Sequence, residues 1–239
     1  MLVNGNFAEG TYEFEEWGWK LSSTLIPKGW FFWYHGRSSG DSDGLWALPE
    51  CKVQTPPAYM GLMGLAWKAF STFSIHQYAL GQRVLVQVGD KLDFWATVWP
   101  WSSSEDNELV SHEGSYRTRI GIDPTGGDDP NSLNVVWNAE APGIKLMDSA
   151  VLHRLSDVTA KTSWVTVYLW GDAEWRLHHN DAWWNDCTIR VTSASVPVAD
   201  WEPRVAALES LVERTQLNLL IVSQRVQALI AFLEKAGEL

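Results

Sequence analysis

Phe94-Trp95-Ala96-Thr97-Val98-Trp99-Pro100-Trp101 is the stretch that decides the fold. Successive side chains on a strand point to opposite faces, so Phe94, Ala96 and Val98 share one face and Trp95, Thr97, Trp99 and Trp101 the other. The stretch Trp164–Trp170 repeats the pattern, with Val165, Val167 and Leu169 set against Trp164, Thr166, Tyr168 and Trp170. An aliphatic face on each strand suits the space between two packed sheets. The aromatic faces then look outward, onto a concave sheet surface or beneath loops.

The rest of the chain up to about Pro197 reads the same way. Val84–Val88 runs into the turn Gly89-Asp90-Lys91, and Tyr116–Asp123 runs into the long turn from Pro124 to Pro130. Val135–Trp137 and Asp186–Thr192 are further strands, and Ser102–Glu108 is expected as a mobile polar surface loop. Short strands, Gly/Pro/Asp turns and no helical period predict an all-β domain, a jelly-roll β-sandwich over residues 1–198.

All 16 tryptophans of the 239-residue chain lie at or before Trp201. Trp30, Trp33, Trp46, Trp67 and Trp137 are expected in the core. Trp95, Trp99, Trp101, Trp164, Tyr168 and Trp170 are the candidate ligand residues. Pyranose rings stack their apolar C–H faces on indoles, while nearby polar groups take the hydroxyls. The competing expectation is that loops, the first forty residues or a second subunit cover these aromatics.

A net charge of -11 argues against a phosphate-backbone partner and against attraction to anionic lipid. The apolar run Leu217–Leu233 is broken by Asn218, Ser223, Gln224, Arg225 and Gln227, so no membrane span is expected. MLVNGNFAEG has neither a positive nor an apolar signal region, so no secretory leader is expected there. Cys51 and Cys187 are compatible with one disulfide or with two buried thiols.

After Asp200, a helix cap with Pro203 in the first turn, the period changes. Val205, Leu208, Val212, Leu219, Val222, Val226, Leu229 and Leu233 recur in steps of three and four, interrupted by Thr215. This heptad seam predicts a C-terminal α-helical coiled coil over residues 200–239, about 43 Å long from Val205 to Leu233. Leu211, Leu220, Ile221, Ile230 and Phe232 widen the stripe, which favours a homotrimer over a dimer. An amphipathic helix packed on the sandwich is the alternative.

Val3-Asn4-Gly5-Asn6-Phe7, Pro27-Lys28-Gly29-Trp30, Val88-Gly89-Asp90-Lys91-Leu92 and the run His179–Ile189 resemble carbohydrate-binding modules of the galactose-binding-like jelly-roll type. The resemblance spans roughly residues 1–195 and excludes the helix. It implies a structural calcium ion between a residue following the N-terminal motif and an Asp pair in the last strand. Here the matching positions are Glu9, Asn185 and Asp186, one carboxylate fewer than that pattern. Asp123, Asp128, Asp129 and Asn131 gather in one loop, more simply a turn-rich surface loop than a metal loop.

No G-x-S-x-G, P-loop, H-E-x-x-H or dinucleotide fingerprint occurs, so no catalysis is expected. His178 and His179, adjacent on a strand, would point to opposite faces. The expected function is a non-enzymatic, oligomeric adhesion or decoration protein with glycan-binding heads on a stalk. Its expected setting is the surface of a bacteriophage virion, among other virion proteins, or else an extracellular or cell surface. The alternatives are a purely structural lattice protein and an accessory domain of a secreted glycoside hydrolase.

Overall fold

The computed structural model describes residues 2–16, 18–35, 47–105, 116–144 and 149–193, and scattered helical positions from Val212 to Ile230. The chain divides into two compact units, Met1–Ser195 and Val196–Leu239.

The first unit is a two-sheet β-sandwich. Its strands are β1 (Thr11–Glu16), β2 (Trp19–Pro27), β3 (Phe31–Tyr34), β4 (Glu50–Gln54), β5 (Ala66–Ser71), β6 (His76–Leu85), β7 (Lys91–Ser103), β8 (Tyr116–Asp123), β9 (Val136–Trp137), β10 (Ala141–Pro142), β11 (Val151–Thr159), β12 (Trp164–Ala173) and β13 (His179–Ser193). One sheet has the order β1-β2-β4-β5-β13-β7-β11; the other has β10-β8-β12-β6-β3, with β9 also paired to β8. All pairs are antiparallel except β2 with β4.

The aliphatic faces meet between the sheets. Leu92, Phe94, Ala96 and Val98 of β7 share one core with Val165, Val167 and Leu169 of β12 and with Ile120 and Ile122 of β8. Trp67 and Trp184 also lie there, fully buried. Their indole N–H groups find acceptors, Leu25 O for Trp67 at 3.0 Å and Tyr78 Oη for Trp184 at 2.7 Å. A buried indole donor without an acceptor would cost about 1–3 kcal/mol.

Two strand expectations change. Ser102 and Ser103 are not loop but the buried end of β7, bonded to β13 opposite Asn180 and His179. The remainder of that expected loop, from residue 106, lies outside the described residues. The strand expected over Val84–Val88 starts eight residues earlier and ends at Leu85. β11 was hidden because Asp157, at φ 60°, bulges the strand and breaks its alternation. Cys51 and Cys187 are both free and buried.

In the second unit the described positions are helical, and no coiled coil is seen among the described residues. Val212, Leu219, Val222, Val226 and Ile230 are exposed, Leu219 by 65%. The residues Val205, Leu208, Leu229 and Leu233 lie outside the described positions.

Candidate functional site

The outer face of the six-stranded sheet carries a two-row aromatic floor. Register places Phe31, Gly81, Tyr168, Gly121 and Trp137 side by side across β3, β6, β12, β8 and β9. The neighbouring row is Trp33, Ala79, Trp170 and Arg119. Small residues between large ones let the rings lie flat on the backbone. A Cβ on Gly121 would sit 2.6 Å from the Trp137 ring, and one on Gly81 would sit 2.3 Å from the Phe31 ring. Phe31 meets Tyr168 edge to face at 6.1 Å, and Trp137 tilts against Tyr168 at 5.9 Å.

A guanidinium is wedged into this floor. Arg119 Cζ lies 4.1 Å from the Trp170 ring centre and 4.4 Å from that of Trp137, and its Nη1 is 3.3 Å from Glu140 Oε1. Burial pulls the Arg119 pKa downward, and Glu140 opposes the shift. Beside it Arg117 pairs with Asp172, and burial raises that carboxyl against the pull of Arg117. Arg117 and Arg119 are thus each paired with a carboxylate, Asp172 and Glu140, which leaves planar donors and acceptors on this face. Such fixed, paired side chains hydrogen-bond to hydroxyls without attracting an ionic ligand.

One loop partly roofs the floor. The Asp123 carboxylate accepts from Thr125 N and Oγ1 and from Gly127 N, and Tyr168 Oη donates to Gly127 O at 2.8 Å. Asp123 therefore folds the loop, while Asp129 accepts from Asn131 N. At the loop's far side Trp164, 47% exposed, lines a cleft of about 370 Å³ with Arg83, Thr125, Gly126, Thr162 and Ser163. That volume is at the small end of ligand clefts.

The six aromatic candidates do not form one open platform. Trp164, Tyr168 and Trp170 share the outer face of the six-stranded sheet, but Tyr168 and Trp170 are 0% and 5% exposed. Trp95, Trp99 and Trp101 lie on the other sheet. Trp99 and Trp101 are buried in a satellite cluster with Met60, Leu62, Ala66 and Trp183. The segment before β5 covers them because its apolar side chains need a partner surface. Trp95 keeps partial exposure, with Arg190 Cζ 5.7 Å over its ring. Among the expected core tryptophans, Trp30 and Trp67 are buried, Trp33 and Trp137 are half-buried, and Trp46 lies outside the described residues.

At the expected calcium positions, Glu9 and Asp186 are exposed and Asn185 is 2% exposed. Asn185 Nδ2 donates to Met63 O at 2.9 Å and Leu65 O at 2.7 Å, tying down the segment over Trp99. Its Oδ1 is buried with no hydrogen-bond partner among the described residues, an oxygen of the type that hard cations take. The N-terminal motif is already organised by Asn4, whose Oδ1 accepts from Glu9 N at 2.8 Å and whose Nδ2 donates to Lys28 O at 3.2 Å. Among the described residues no three His, Cys, Asp or Glu side chains gather as a metal-binding group.

His178 and His179 do not diverge as expected. Their ring centres are 4.2 Å apart, because His178 sits in the bend before β13 rather than on the strand. Phe73 stacks on His178 at 4.7 Å and Trp101 on His179 at 4.9 Å, extending a ladder of rings.

Phe31, Arg119 and Glu140 of this floor carry no expectation from the sequence, and Trp33 and Trp137 were expected in the core rather than on an outer face. Parity along Tyr116–Asp123 carried a signal for Arg119, because Tyr116, Thr118, Ile120 and Ile122 take the inner face and leave Arg117, Arg119 and Gly121 outside.

No protein-family model matches the sequence, and no curated protein matches it. The fold resembles that of TmCBM61, solved in complex with β-1,4-galactotriose, with a TM-score of 0.50 and 9% identity over 80% of this chain and 97% of that one. Weaker likenesses include a cyclase from Fischerella sp. TAU, with a TM-score of 0.44 and 11% identity over 81% and 98% of the two chains. Another is the enzymatically active domain of bacteriophage CBA120 tailspike protein 4, with a TM-score of 0.40 and 8% identity over 69% of this chain and 19% of that one. At 9% identity the likeness to TmCBM61 is one of fold alone, a two-sheet jelly-roll β-sandwich.

Proposed function

We propose that the chain is a non-catalytic glycan-binding protein whose ligand lies along the outer face of the six-stranded sheet. The observation that carries this reading is the Arg119 guanidinium held between Trp137 and Trp170 and paired with Glu140. Half-buried Trp33 and Trp137 and exposed Trp164 supply stacking surfaces, and the paired Arg117 and Arg119 suit an uncharged sugar. β-1,4-Galactotriose, the ligand of TmCBM61, is a rational first probe.

The heptad seam, with Leu219 and Val222 exposed in the single chain, supports self-association of the helices, as a trimer in this reading. Several weak heads on one stalk bind a polymeric glycan with avidity. The setting that fits such an assembly is a virion surface. A calcium ion held by Glu9, Asn185 and Asp186 belongs to the same reading; its test is a melting temperature that falls when EDTA is added and recovers with CaCl2.

Glycan microarrays and polysaccharide pull-down on the full chain test the main reading. Retention of one uncharged glycan, lost in Trp137→Ala and Trp33→Ala while the far-ultraviolet spectrum of the folded sandwich is kept, supports it. The burial of Trp99, Trp101, Tyr168 and Trp170 favours a second reading, in which the aromatics serve packing alone within an assembly. Absence of binding to any glycan by the intact protein selects that one.

A further inference from the structure

Trp137 reaches the floor from a strand of two residues, β9, and the residue after it explains how so short a strand stays in place. Asn138 N donates to Ile120 O at 3.0 Å, and Ile120 N donates back to Asn138 Oδ1 at 2.7 Å. The carboxamide oxygen is therefore assigned by a donor that has no alternative, which leaves Nδ2 as the donor on the other side. That Nδ2 lies 2.8 Å from His153 Nδ1. His153 Nδ1 must accept, so the ring carries its proton on Nε2 and donates it to Thr118 Oγ1 at 3.0 Å.

We propose that His153 is a positioning residue for the aromatic face: neutral, it holds Asn138 and through it Trp137; protonated at Nδ1, it releases them. Protonation sets one donor against another, and Asn138 cannot turn its amide over without losing Ile120 N–H. This proposal rests on the reading of that face as the glycan site.

The surroundings give the cation no relief. His153 pairs with Ala96 on β7, packs on Trp184 of β13, and meets Thr118 of β8 and Asn138 beyond β9. The titratable core side chains on these and adjoining elements include Tyr116 of β8, Cys187 of β13 and, past Trp184, Tyr78 and His76 of β6. The charged residues Asp93, Arg117, Arg119 and Arg154 occupy strand positions whose parity faces away from the core. Burial pulls His153 down to about 4.

The test uses the full chain labelled with 15N and 5-fluorotryptophan. The expected result is a His153 Nε2–H tautomer at pH 7, and a Trp137 fluorine resonance, assigned by Trp137→Phe, that moves with His153 at a common midpoint near pH 4. Trp67, in the central core, stays still through that midpoint. In His153→Gln, whose carboxamide accepts from Asn138 and donates to Thr118 without titrating, the Trp137 response disappears. A His153 Nδ1–H tautomer, separate midpoints, a Trp67 resonance that moves together with Trp137, or an unchanged Trp137 titration in His153→Gln overturns the proposal. The wild-type titration alone decides the case if the variant fails to fold. None of these readouts needs a ligand, so failure of the glycan reading is visible separately. With a glycan that binds, affinity falls at least tenfold from pH 7 to pH 4 in the wild type and not in His153→Gln.

Discussion

Arg119 is clamped by Trp170: its guanidinium carbon lies 4.1 Å from the indole centre, on the face of the sheet that points away from the core. Sheet register brings them together, since Trp170 pairs with Arg119 across β12 and β8. A stacked arginine in a partly desolvated site contributes about 1–2 kcal/mol. Arg119→Ala is therefore expected to lower stability by that amount in urea unfolding and to abolish retention of any glycan the wild type holds. Arg119→Lys, lacking the planar fork, recovers little. Full binding by Arg119→Ala places the ligand elsewhere.

Gly121→Ala puts a methyl group 2.6 Å from the Trp137 ring, while the inner face of β8 is untouched. The expected cost is about 1–3 kcal/mol, with the ring displaced from the sheet. Near-ultraviolet circular dichroism reads the change in Trp137 packing; a spectrum and melt identical to the wild type show that the ring does not lie as described.

Stability falls on acidification because two core histidines are buried neutral. Burial holds His76, bonded to Ser71 and Tyr116, at about 3 and His153 at about 4. Below about pH 6.5 the unfolded chain takes up protons that the folded chain refuses, so each histidine removes up to about 1.4 kcal/mol per pH unit until its folded value is reached. Urea unfolding at pH 7, 6 and 5 measures the slope. A flat profile contradicts the burial of both rings, and His153→Gln is expected to remove about half of it.

Asn4→Ala removes three hydrogen bonds from a side chain that is 3% exposed, to Glu9 N, Lys28 O and Gly10 O. Losing these part-buried hydrogen bonds costs about 1–3 kcal/mol in total. A melting temperature within a degree of the wild type shows that something other than Asn4 organises the N-terminal loop.

Leu219→Lys with Val226→Lys places charges in the heptad seam of the helix. Light scattering on the full chain is expected to fall from an oligomer to a monomer while the head's near-ultraviolet spectrum is retained. An unchanged molar mass removes the helix from any assembly role.

The two-sheet core was legible in the chain because strand parity is local: Phe94, Ala96 and Val98 are bound to share a face whatever the tertiary context. The seam from Val205 to Leu233 is legible for the same reason, as a helix repeats every 3.6 residues. Parity also separated Tyr168 and Trp170 from the aliphatic core, but it could not say what lies above them. Whether Trp99 is open or roofed depends on Met60 and Leu62, nearly forty residues away in sequence. The adjacency of Arg119 to Trp170, of Gly121 to Trp137 and of Asn138 to His153 depends on register between strands distant in the chain, and register is set by the packing of the whole sandwich. Strand parity alone tells which side chains face the core and which face out. Which outward aromatics meet, which are covered and which arginine they hold emerges on folding, because those outcomes come from non-local contacts that no single strand encodes.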